Sequence, residues 1–188
     1  LDNLRLLSQP EVEAGSLERL VHRDVKTKRL RVPVDKAFLE DMTSWREALA
    51  KDIHKRNSGL DVKLLNESVQ KLLDRIIFIR IAEDRKIRKP RELQECVELW
   101  KEEGKRKSLL KDHLRDLFAE VNADLNGDIF KPHVCETVDV DSALLAEIIE
   151  ELYFPKCRYR FEVLGVELLG SIYERYLGNT IRVTPKRV

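Results

Sequence analysis

Metal chemistry needs histidine, cysteine or carboxylate ligands at workable spacing, and the chain offers four histidines (His22, His54, His113, His133) and three cysteines (Cys96, Cys135, Cys157). No CxxC or HExxH pattern joins them, and His133-Val134-Cys135 is the one close pair. A zinc site would need two further ligands at similar spacing, so this pair reads as a surface-loop histidine beside a buried thiol. The run Asp124-Leu125-Asn126-Gly127-Asp128 has the lettering of a calcium loop, but the positions that require glycine and glutamate hold Ile129 and Cys135. Asp24-Val25-Lys26, Asp61-Val62-Lys63 and Asp84-Arg85-Lys86 each match the acidic-x-lysine part of a nuclease signature. With 37% charged residues such triplets arise by chance, and these three fall on helices or helix ends rather than strands. No glycine-rich phosphate loop follows a strand, and no serine or cysteine nucleophile motif is present. An Asn-Pro-Pro-Tyr loop, which would hold a flipped base, is also missing. The expectation is a segment with no catalytic residue, no metal ligand and no cofactor of its own.

Two features rise above this background. The first is the charged string Arg80, Glu83, Asp84 and Arg85, in which Arg80 and Asp84 stand four apart and can pair along a helix. The flanking turns are apolar, so the pair is expected to be half-buried and to fix helix packing. The second is basic: Arg85, Lys86, Arg88, Lys89 and Arg91, followed by Lys105, Arg106 and Lys107. Each cation could add a salt-dependent, sequence-independent contact to a DNA phosphate, or the clusters could be plain solvated surface among the many nearby acids.

The elements that would carry these residues are legible from apolar spacing. Leu17, Leu20, Val21 and Val25 recur at helical intervals, and Pro33 marks an extended link after the basic stretch Lys26 to Arg31. Asp35 is placed to cap a helix with the stripe Phe38, Met42, Trp45, Leu49 and Ile53, which Asn57-Ser58-Gly59 should stop. Asp61 to about Arg85 is apolar nearly all round in its second half, as a central bundle helix would be. A short strand over Ile76 to Ile81 is the alternative. Pro90 is placed to start the next helix, which ends at Gly104, and Ser108 to cap the one after it. Asn126-Gly127 makes a tight turn, and residues 128 to 140 read as irregular or briefly extended. Asp141 caps a helix with Leu144, Leu145, Ile148, Ile149 and Leu152. Arg158 to Val163 alternates and could be extended, and a last helix holds Leu169, Ile172, Tyr173 and Tyr176 before Gly178. The predicted class is all-α: an irregular bundle of about seven helices with at most short extended segments.

Composition agrees. The chain has only 7 Gly and 6 Pro, too few for a turn-rich β fold. Apolar runs such as Ile76 to Ile79 fall far short of the roughly 20 residues that span a bilayer, so no membrane partner is expected. Three widely spaced cysteines suit a reducing compartment, and a cytoplasmic location is expected. The formal net charge of +1 excludes a global basic footprint, leaving DNA contact to local patches. The chain opens on Leu1 and stops shortly after a charged helix, so both ends are expected to be cuts through a longer polypeptide.

Five stretches in order carry a resemblance. They are Val32-Pro-Val-Asp-Lys-Ala-Phe-Leu39 running to Trp45-Arg46; Leu72-Leu-Asp-Arg-Ile-Ile-Phe-Ile-Arg-Ile-Ala-Glu-Asp-Arg85; Leu125-Asn-Gly-Asp-Ile-Phe130; Tyr159-Arg-Phe161; and Leu168-Leu-Gly-Ser-Ile-Tyr-Glu-Arg-Tyr-Leu177. Together, over about residues 32 to 183, they resemble the helical region of type IIG restriction-modification enzymes. In that family an N-terminal nuclease precedes this region, and an S-adenosylmethionine-dependent adenine-N6 DNA methyltransferase follows it. The resemblance implies a non-catalytic helical connector at 32–188, with 1–31 as a lead-in from an upstream domain. It implies that the connector positions nuclease and methyltransferase domains on double-stranded DNA. S-adenosylmethionine is then the cofactor of the parent enzyme, with magnesium if a nuclease is present. The helix with Tyr173, Glu174 and Arg175 would lie nearest the methyltransferase. Thr184-Pro185 lacks the tyrosines that open the family's methyltransferase, so no catalytic residue carries over to this chain. The rival expectations are an independent DNA-binding module and a helical protein-interaction scaffold.

Overall fold

Apolar residues at helical spacing between Asp61 and Asp84 build a long and largely buried helix. The computed structural model of the protein describes residues 34–104, 108–125, 128–159 and 161. The elements are α1 (Val34–Arg56), α2 (Val62–Asp84), α3 (Glu92–Glu103), α4 (Leu110–Leu125), the 3-10 turns Asp128–Phe130 and Val134–Glu136, and α5 (Ser142–Glu151). Among the described residues there is no strand, and the class is all-α. Ile76 to Ile81 is helical, which removes the strand alternative. The described α-helices number five, fewer than the seven or so expected. The helix expected over Ser16 to Val25 and the one holding Leu169 to Tyr176 fall outside the described residues. Between 128 and 140 the chain makes two 3-10 turns where an irregular or extended course was expected.

Helix ends follow local chemistry in some places and tertiary partners in others. Asp61 accepts from the Lys63 amide at 3.0 Å, and Asp141 accepts from Ala143 and Leu144 at 2.7 and 3.1 Å. Both are N-caps; the one at Asp141 was expected from the sequence. After α1, Asn57 donates its side-chain amide to the Ile53 carbonyl at 2.7 Å, and Gly59 turns the chain at φ +94°. Three expected starts shift. Helix α1 begins at Val34, so Asp35 lies in its first turn instead of capping it. Pro90 belongs to a turn, and α3 starts at Glu92. Helix α4 starts at Leu110, whose amide donates to Ser142 Oγ of α5 at 3.1 Å; a neighbouring helix supplies what Ser108 was expected to give.

Helix α2 packs against α3 and both 3-10 turns, α3 against α4 and α5, and α4 against α5 and the first 3-10 turn. Helix α1 runs antiparallel to α5. Trp45 Nε1 donates to Glu151 at the end of α5, while Arg56, at the end of α1, pairs with Asp141 at the start of α5. The core that results is aliphatic along α2, where Leu73, Ile76, Ile77 and Ile79 are fully buried. The most deeply buried charge is on the same helix. Arg75 is 0% exposed, and its guanidinium donates to the carbonyls of Ile129 (2.9 Å) and Lys131 (2.5 Å) and to Glu136 (2.6 Å). The rings of Phe118 and Phe130 lie 5.2 and 5.9 Å from it. A planar fork with several donors matches three fixed acceptors, and so ties the turn-rich segment 129–136 to α2.

Candidate nucleic-acid interface

The basic cluster maps to the end of α2 and the loop that joins it to α3. Glu83, the last residue but one of α2, is buried beneath the loop. Its carboxylate accepts from the Leu93 amide at 3.2 Å and from the Tyr153 hydroxyl at 2.6 Å, with Arg80 Nη1 at 3.5 Å. It thereby satisfies one of the open amides at the start of α3. Burial raises the Glu83 pKa, against the lowering effect of these hydrogen bonds and of Arg80. Burial also raises that of Tyr153, helped by the adjacent carboxylate.

Arg80 pairs with Asp84 one turn on and donates Nε to the Leu152 carbonyl at 3.0 Å. Its guanidinium stacks 4.3 Å from the Tyr153 ring centre. The pair therefore sits where α2 meets the residues that follow α5.

The loop cations divide sharply. Arg88 turns inward, with its side chain 7% exposed, and meets three carboxylates. Glu92 takes two parallel hydrogen bonds at 3.0 and 2.9 Å, Glu120 takes one at 2.8 Å, and Asp124 pairs with the remaining nitrogen. Hydrogen bonding to Glu92, then to the α4 acids, raises the Arg88 pKa further, so it stays charged at any working pH. Arg91 lies along α3, held by Gln94 at 2.9 Å and Glu98 at 2.8 Å. Arg85, Lys86 and Lys89 are exposed, as is Ile87 between them. Lys105, Arg106 and Lys107 fall outside the described residues. Both Lys86 (φ 60°) and Arg91 (φ 71°) occupy the left-handed region, which for a residue with a side chain costs roughly 1–2 kcal/mol.

The other candidates resolve into local structure. His133 Nδ1 accepts from the Cys135 amide at 3.1 Å and so caps a 3-10 turn. Burial, with Lys71 and Arg75 nearby, lowers the His133 pKa. The Cys135 and Cys96 thiols are pushed up by burial to about 11 and about 12, which leaves them unreactive near neutrality. Among the described residues no three His, Cys, Asp or Glu side chains gather as a metal site. Asp61-Val-Lys63 is a helix cap and Asp84-Arg-Lys86 a helix end, while Asp24-Val-Lys26 is outside the described residues. No described helix is long and apolar enough to cross a membrane. The roles of Arg75 and Arg88 were missed from sequence. Their signals were an arginine inside an otherwise apolar run, and an arginine four residues before a glutamate.

Comparison with known proteins adds one finding. Over 161 residues, 85% of its length, the chain is 29% identical to the type II restriction enzyme and methyltransferase RM.Eco57I of Escherichia coli. The chain is a distant relative of that enzyme. It spans 15% of the enzyme's length, so the similarity concerns a part and not the whole activity. No protein-family profile matches the chain, and no solved structure matches it significantly.

Proposed function

We propose that this chain is a non-catalytic helical connector of a DNA restriction-modification enzyme, holding nuclease and adenine-N6 methyltransferase domains at a set distance and angle on DNA. The observation that carries this reading is the similarity to RM.Eco57I across 85% of the chain but 15% of the enzyme. The bundle supports it. Packed helices whose ends are pinned to one another by caps and ion pairs transmit orientation, which a flexible tract does not. The pairs Arg56–Asp141 and Arg88–Asp124, and the bond from Arg80 to the Leu152 carbonyl, all act at such ends. On this reading S-adenosylmethionine, and magnesium for cleavage, act in the flanking domains, and double-stranded DNA is the partner of the assembled enzyme in the cytoplasm.

The test is the coding sequence on either side of this chain. The expected result is a glycine-rich cofactor loop and an Asn-Pro-Pro-Tyr-type loop downstream, with adenine-N6 methylation of DNA by the complete polypeptide. An unrelated neighbour, or a stop codon directly after Val188, would sink the connector and favour the protein-interaction scaffold.

A further inference from the structure

We infer that the loop between α2 and α3 is a contact surface for the phosphate backbone of duplex DNA. In this assignment Lys86 and Lys89 meet the phosphates, and Arg88 is the positioning residue that holds the loop in shape. The inference rests on the connector reading for its partner and on the loop itself for its geometry.

Five cations within seven residues would suggest one continuous basic patch, but the structure gives them two jobs. Arg88 is inside, fastened by two bonds to Glu92 of α3 and by Glu120 and Asp124 of α4. It thus ties the loop to both following helices. Underneath, the amides of Arg85, Lys86 and Ile87 bond back to Ile81, Glu83 and Ala82 at 3.0, 2.9 and 2.9 Å. The loop is therefore held from Arg85 to Arg88, and its outer face carries Arg85, Lys86, Ile87 and Lys89.

The backbone at Lys86 adds a second argument. A position at φ 60° is sterically suited to glycine or asparagine, and here it holds a lysine with an exposed side chain. Strained positions that keep a long polar side chain concentrate where that side chain is used. Ile87, 61% exposed beside it, gives the cations an apolar centre that can lie against the deoxyribose edge.

Phosphate is the favoured anion because exposed, closely spaced lysines match a regular row of charges, while Glu92, Glu120 and Asp124 are engaged by Arg88. Arg88 and its three acids leave net negative charge behind the loop, so the contact is weak and strongly salt-dependent.

The test uses the 188-residue chain with a short random-sequence DNA duplex at low salt, read by lysine-labelling mass spectrometry. Lys86 and Lys89 are expected to be protected several-fold. Lys51 and Lys63, exposed elsewhere, are not, and the protection should vanish at high salt. The K86Q/K89Q double variant should bind more weakly, with a salt slope (log affinity against log salt) shallower by about 2, since each phosphate left without its cation removes about 0.9. The Arg88→Lys variant keeps the charge but not the fork. It should speed amide exchange through 85–91 and reduce protection of both lysines. Equal labelling with and without DNA, or an unchanged slope in the double variant, overturns the phosphate assignment. Unchanged exchange and protection in Arg88→Lys overturn its positioning role. A flanking methyltransferase with unprotected loop lysines removes this inference and leaves the connector. Protected lysines without such a neighbour keep the loop and remove the connector.

Discussion

Arg75 and Glu83 are opposite cases of a buried charge. Arg75 is matched by three acceptors and two ring faces, so removing it strands Glu136 and two carbonyls. Arg75→Met should cost about 3–5 kcal/mol in urea unfolding, the range for breaking a buried pair. Arg75→Lys should recover little, because an ammonium cannot reach three acceptors in the plane of a fork. A cost below about 1 kcal/mol for Met would mean that segment 129–136 does not depend on this anchor. Glu83 is held by hydrogen bonds, yet burial outweighs them and its pKa lies above the ordinary 4.5. Because the folded value is the higher one, the fold favours the protonated form. The contribution is fully present below about pH 4.5 and is lost as pH rises through the folded value. Urea midpoints of the native chain should therefore fall relative to Glu83→Gln as pH is raised from 4.5 to neutrality, and parallel curves would refute the shift. Neither role was legible in the sequence. The letters place Arg75 and Glu83 on α2, but their partners come from segments 10 to 70 residues away. Arg80 with Asp84 was legible because a four-residue spacing is a local fact.

At the scale of the element, what the sequence predicts depends on where the stabilising partner lies. Helices α2 and α5 start where an aspartate caps them from the adjacent position, and both starts were readable. Helix α4 takes its first acceptor from Ser142 on another helix, and α3 follows a left-handed Arg91 after a proline turn. Those starts were misplaced by one or two residues. Asp141 has two tasks at once: it caps α5 and pairs with Arg56 of α1. Asp141→Ala should lower stability by about 1 kcal/mol, the ordinary worth of a cap, with any excess coming from the interhelical pair. Asp141→Asn keeps the capping oxygen and removes the charge, so it should recover most of the deficit. If Asn were as damaging as Ala in thermal unfolding, the ion pair rather than the cap would hold this end of the bundle. The candidate interface obeys the same rule. Its cations were all visible in the sequence, but their division into one inward arginine and an outward face depends on the acids of α4, 32 and 36 residues further along.

A connector that sets the angle between two domains must unfold as one body, since a bundle that opens in parts would act as a hinge. The described helices meet this need through contacts that skip along the chain: Trp45 of α1 to Glu151 of α5, Lys101 of α3 to Glu150, and Glu83 of α2 to Tyr153. The chain's 2 tryptophans allow a direct test. Trp45 lies between α1 and α5, and Trp100 is buried on α3, so each reports on a different part of the bundle. In the Trp100→Phe and Trp45→Phe variants one reporter remains at a time. Fluorescence of each should follow the same denaturant curve as the decline of helical circular dichroism of that variant, as two-state unfolding requires. Both substitutions remove buried aromatic area, so their midpoints should drop, and agreement between probes within one variant is the quantity that decides. An earlier transition at Trp100 than in the helical signal would show α3 and α4 opening while α1, α2 and α5 hold. The loop carrying Lys86 and Lys89 bridges α2 and α3, so it would then lie on a hinge, and a fixed phosphate contact and a fixed interdomain angle would fail together.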